Sequence, residues 1–180
     1  MSKKQQLLKA AENKVRTGGY NNFSFRELAD EIGIKSSSVH YHFPTKADLG
    51  AELARQYTDN FLANLGSPDE LITHGKNPIE VYSQQFQHAL TQDKKMCLCG
   101  LLGAETDGLP EKVKLQTRRF FEQNIQWLTH AYTLGTDNTE QQAKSQAVAA
   151  ISLLEGAMLV SKAMNDDALF STVSAQLLAR

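Results

Sequence analysis

Apolar residues recur at helical spacing along nearly the whole chain. Leu7, Leu8, Ala11 and Val15 share one face of a stretch over 3–17, with lysines opposite, and Gly18-Gly19 stops it. Ser24-Phe25-Arg26-Glu27 has capping-box spacing and predicts a short helix burying Leu28, Ala29 and Ile32. Gly33 then supplies a turn, and a second short helix over 36–42 points Val39 and Phe43 inward until Pro44 breaks it. Thr45 to Asp48 caps the next helix, which runs to about residue 65, and the polar stretch 66–77 reads as a long loop. Asn77-Pro78 starts a helix to about residue 92 that buries Ile79, Tyr82, Phe86 and Leu90. A buried helix over 96–104 follows, then helices over about 111–134, 139–164 and 167–179. There is no internal repeat and no low-complexity tract. With few prolines and little β-branched clustering, the pattern predicts an all-α protein.

Composition narrows the class. No stretch approaches the ~20 apolar residues of a bilayer span, and the first residues lack a signal-peptide apolar segment, so a soluble cytoplasmic protein without membrane contact is expected. The two cysteines, Cys97 and Cys99, sit too close for an ordinary structural disulfide, and reduced thiols suit that compartment. The net charge of −1 conceals an asymmetry. Residues 1–56 carry nine Lys/Arg against six Asp/Glu, a balance of +3, while the remainder carries ten against fourteen, a balance of −4. A basic end on an acidic body suits a phosphate-binding head on an effector domain.

Two short helices joined by a glycine turn permit the second helix to enter a DNA major groove. That role needs an apolar underside and a small, polar outer face. Leu28, Ala29, Ile32, Ile34, Val39 and Phe43 meet the first need; Lys35, Ser36, Ser37, Ser38, His40, Tyr41 and His42 meet the second. The spacing alone is equally compatible with two solvated helices of an ordinary bundle.

The run from Phe25 to Leu49, FRELADEIGIKSSSVHYHFPTKADL, resembles the signature of the TetR family of transcriptional regulators, and the likeness extends over about residues 3–55. It implies an N-terminal three-helix helix-turn-helix DNA-binding domain over 1–55, braced by the helix at 3–17. An antiparallel helical effector-binding and dimerisation domain would follow over 56–180, linked by the helix that begins near residue 46. By position, Arg26 would reach a base or phosphate. Ser36, Ser37 and Ser38 would face the groove, Tyr41 would pack on the backbone or a thymine methyl, and His40, His42 and Lys46 would meet phosphates. Two departures stand out: Phe25 replaces the usual Ser/Thr, and His40 replaces a common Tyr. The partners implied are double-stranded operator DNA, an unknown small-molecule effector and a second copy of the chain. The function implied is a ligand-responsive regulator, a repressor released from a palindromic operator.

The body is less legible. Ala147, Ala150, Leu154, Ala157, Met158 and Ser161 form a stripe that suits either a dimer interface or the chain's own core. Tyr82, Phe86, Met96, Cys97, Phe120, Asn124 and Trp127 are candidate ligand contacts that are also ordinary core residues, and Glu105 either faces the cavity or ends a helix in solvent. The stretch around Cys97 is similar to a segment in TetR members that respond to electrophiles or oxidants, which makes a thiol sensor the alternative. A lone C-x-C lacks the ligands of a zinc site, so no metal and no cofactor are expected. No phosphate loop, metalloprotease helix or nucleophile elbow occurs, so an enzyme is not expected. A helical interaction module without DNA binding is the remaining class.

Overall fold

The computed structural model describes residues 1–178; Ala179, the last residue of the predicted 167–179 helix, lies outside them. The described residues form ten α-helices and no strand. They are α1 (Lys3–Gly18), α2 (Phe25–Ile32), α3 (Ser36–His42), α4 (Lys46–Leu65), α5 (Pro68–Thr73), α6 (Pro78–Thr91), α7 (Leu98–Ala104), α8 (Glu111–Thr133), α9 (Glu140–Met164) and α10 (Ala168–Leu178), with a 3-10 turn at Thr106–Gly108. Local signals start most of them. Ser24 and Thr139 make reciprocal capping boxes with Glu27 and Gln142, and the Asn77 side chain accepts from the Ile79 and Glu80 amides ahead of α6.

Helix α5 departs from the predicted loop over 66–77. Ser67 and Glu70 form a capping box with Pro68 in the first turn. The proline read as a breaker therefore acts as a helix start, since its missing amide would have had no partner there.

The chain packs into two compact units. The first comprises Met1–Asp59 and Leu98–Phe120, the second Asn60–Cys97 and Phe121–Arg180. The continuous division expected near residue 55 thus omits a return: α7 and the first half of α8 join the N-terminal unit. In that unit α1 packs on α2 and α7, and α2 on α3, around Leu7, Ala11, Leu28, Val39 and Leu49, all fully buried. In the second unit α9 packs on α6 and α10, and α5 and α10 also pack on α6.

By length and composition α9 is apolar enough to cross a membrane, contrary to the sequence expectation that no stretch approaches this. Its alanines and aliphatic residues are spread around the whole helix. One face, Ala143, Ala147, Ala150, Ile151, Leu154, Ala157, Met158 and Ser161, forms core.

Candidate functional site

The helix-turn-helix is built from its turn outward. Gly33 ends α2 at φ 67°, ψ 45°, a left-handed conformation that a side chain would oppose, and the Ile34 amide reaches back to Ala29 O at 2.9 Å. Lys3 Nζ, from the bracing helix, donates to Ile32 O at 3.3 Å and satisfies a carbonyl at the end of α2. Lys4 lies over the Phe43 ring at 5.6 Å and pairs with Glu52 at 3.0 Å. Beneath α3, Val39 is 0% exposed and Phe43 3%. At the start of α2, hydrogen bonds from Ser24 hold the Glu27 carboxyl below its ordinary range.

This anchoring leaves the opposite face of α3 open. Arg26, Lys35, Ser36, Ser37 and His40 are exposed, Ser38 and His42 are half-buried, and Tyr41 is 85% exposed. A large aromatic held in water on a helix seven residues long is an unusual surface for a helix that only packs. The Tyr41 ring stands edge-on to His42 at 5.3 Å. Phe25 meets the His40 ring at 4.9 Å, which gives its departure from Ser/Thr a packing role. His40 Nδ1 lies 3.3 Å from Pro44 O. A carbonyl only accepts, so Nδ1 is the donor in this contact.

Lys46 is the correction at this site. Its Nζ donates to Phe23 O at 2.8 Å and sits over the Phe23 and Tyr20 rings at 4.4 and 4.9 Å, so the ammonium is folded inward and not held out for phosphate. Burial lowers its pKa, against the opposing pull of Glu27 and Glu105. Lys46→Ala should therefore lower stability by about 1–3 kcal/mol through the lost charged hydrogen bond and cation–π contacts. Among folded molecules the salt dependence of DNA binding should stay unchanged. Thermal denaturation and binding at several salt concentrations check both; a flattened salt slope would restore the phosphate role.

Glu105 is the second correction. Instead of facing an effector cavity, its Oε2 accepts from the Tyr20 amide at 2.9 Å, a contact within the N-terminal unit. Phe120 also belongs to that unit, fully buried and 5.9 Å from the Tyr57 ring.

The second unit brings most of the other effector candidates together. The Tyr82 hydroxyl donates to Asn124 Oδ1 at 2.9 Å, and the Tyr82 ring lies 5.4 Å from Phe86 and 5.5 Å from Trp127. Trp127 Nε1 donates to Gly66 O at 2.8 Å. Met96 is buried, and Cys97 is 2% exposed with its thiol donating to the Glu155 carboxylate. Glu155 escaped the sequence reading, although it is the single charged residue of α9 between Lys144 and Lys162. Burial pushes its carboxyl up to about 7. A separate cavity of about 710 Å³ in this unit is lined by Ile79, Tyr132, Gln146, Ala149 and Leu177, among others, and by none of the expected contacts. Among the described residues no group of three His, Cys, Asp or Glu is placed to hold a metal ion.

The dimer stripe is the third correction. Ala147, Ala150, Leu154, Met158 and Ser161 are 0% exposed and Ala157 5%, so this face is core. The exposed apolar residues of α9 lie on its other side: Val148, Leu153, Leu159, Val160 and Met164, with Gly156 among them.

Residues 7–53 match the model of bacterial regulatory proteins of the tetR family, and residues 77–176 match that of the C-terminal domain of LmrA/YxaF-like transcriptional regulators. A TetR transcriptional regulator from Legionella pneumophila superposes with TM-score 0.87 at 30% identity, over 98% of this chain and 96% of that one. A TetR family regulator from Agrobacterium tumefaciens does so with TM-score 0.87 at 30% identity, over 99% and 96%. The HTH-type transcriptional regulator LmrA of Bacillus subtilis is 23% identical over 163 residues, 88% of this chain and 85% of that protein.

Proposed function

Because the chain belongs to the tetR family of bacterial regulatory proteins, and so is a ligand-responsive, DNA-binding transcriptional regulator, we propose that it represses its target genes from a near-palindromic operator and leaves it when a small molecule binds. The observation that carries this reading is the outer face of α3: small hydroxyls and an 85% exposed tyrosine on a helix pinned from below by Val39 and Phe43. Ser36, Ser37 and Ser38 permit close backbone approach, Tyr41 supplies an apolar face for a base, and Arg26, Lys35 and the two histidines reach for phosphates. The protein acts as a homodimer in the cytoplasm, by binding alone and without catalysis, and its two recognition helices enter successive major grooves.

The effector binds in the second unit, near Tyr82, Asn124 and Trp127. A thiol sensor is not favoured. Cys97 is almost fully buried, and a carboxylate accepting its proton disfavours the thiolate that electrophiles and oxidants attack.

Selection of bound duplexes from a random pool, followed by titration of the selected duplex, tests the reading. A two-fold symmetric sequence bound with steep salt dependence is expected; enrichment of no sequence would overturn it. Tyr41→Ala should weaken the selected duplex by about tenfold or more, in line with ~1–3 kcal/mol per specific base contact, and should leave the melting temperature unchanged because the side chain packs on so little.

A further inference from the structure

Glu155 is a carboxylate on a helix whose neighbouring positions build the core, and the fold does not complete its hydrogen bonding. Its Oε1 is buried and has no hydrogen-bond partner. The Cys97 thiol donates to the carboxylate. The nearby Tyr82 hydroxyl has already given its proton to Asn124 Oδ1, so it does not serve Glu155. A buried carboxylate with an unmet oxygen is destabilising unless a proton or another donor arrives. Glu155 and Trp127 are each half-buried, so both side chains keep some solvent-facing surface beside the buried Tyr82 and Phe86. The rings of Tyr82, Phe86 and Trp127 supply π faces of the kind that attract cations.

We infer that Glu155 is the anchoring group of a site for an arylalkyl amine, whose ammonium donates to Glu155 Oε1 while its apolar body lies against Tyr82, Phe86 and Trp127. The inference rests on the reading of the second unit as effector-binding and names the ligand class. An ammonium supplies the donor and the charge the carboxylate lacks. A neutral isostere supplies less, and an anion would meet repulsion in a poorly solvated place. The titratable group that acts on Glu155 is the Cys97 thiol ahead of α7; Glu155 in turn acts on the Tyr82 phenol of α6, and α8 contributes the uncharged Asn124 through Tyr82.

Trp127 is the single tryptophan, so its fluorescence reports this cluster without DNA present. The full chain should show saturable quenching with 2-phenylethylamine. Glu155→Gln should weaken that binding at least tenfold and leave binding of 2-phenylethanol unaltered. A second measurement needs no variant. The amine stays charged between pH 6 and 8 while Glu155, with its pKa near 7, goes from mostly protonated to mostly ionised, so amine affinity should rise about tenfold. Equal affinity of Glu155→Gln and wild type for the amine, a flat pH profile, or no saturable quenching of the wild type would each overturn the inference. A duplex that the protein never binds would instead count against the regulatory reading and leave the fluorescence result standing.

Discussion

Replacing Gly19 with alanine is expected to lower the melting temperature by about 5–15 °C. Gly19 sits at φ 81°, ψ −178°, a region that residues with a side chain scarcely enter. A side chain at this position would collide with Glu105 Oε1. That carboxylate is not free to swing away, because its Oε2 holds the Tyr20 amide at 2.9 Å. The substitution thus adds backbone strain of about 1–3 kcal/mol and dislodges a charged hydrogen bond of comparable size. For a chain of this length, each kcal/mol moves the midpoint by ~2–4 °C. Glu105→Ala alone removes the hydrogen bond and the carboxylate's pull on Lys46 but adds no backbone strain, and should have the smaller effect. In the double variant the clash is gone and the strain remains, so the two losses should fall short of additive. Calorimetry of the four proteins checks this. A Gly19→Ala protein as stable as wild type would show that the carboxylate is no constraint on the corner between α1 and α2.

Such long-range contacts also mark the limit of what was legible beforehand. Helix starts and stops are written in neighbours: Ser24 with Glu27, Thr45 with Asp48, Asn77 with Pro78, and Gly33 after Ile32. The buried and exposed faces of α3 were readable for the same reason, since Val39 and the serines occupy one short helix with a fixed period. The roles of Lys46 and Glu105 are not written in their neighbours, because the partner of Lys46, Phe23 O, lies 23 residues away and that of Glu105, the Tyr20 amide, lies 85 away. Neither a charged side chain's period nor its sequence context says which carbonyl or amide will come within reach. Helix α5 was missed for a local reason, a proline whose meaning depends on the capping serine before it.

The stripes of α9 pose a different problem, and it leads to the second large effect. Small and apolar residues cover both sides of this helix, so periodicity could not choose between them. Packing against α6 and α10 takes one side. The other keeps Leu159 at 55% exposure, Val160 at 49% and Met164 at 67%, with Gly156 available for close approach. A contiguous apolar face of this kind is a liability in a lone chain and suits a self-complementary interface across a two-fold axis. If two copies meet there, Leu159→Arg places one charge from each copy into the apolar contact and should yield a folded monomer of 20.0 kDa. Each monomer would then hold one half-site alone. Operator affinity should fall by more than about a hundredfold, because the second half-site no longer binds as part of the same event. Helical content should be retained, since Leu159 contributes little to the chain's own core. Sedimentation and operator titration on the same sample separate the possibilities: a dimer that persists with undiminished affinity would move the interface off α9, whereas a monomer that still binds the full operator tightly would remove the need for two-fold reading.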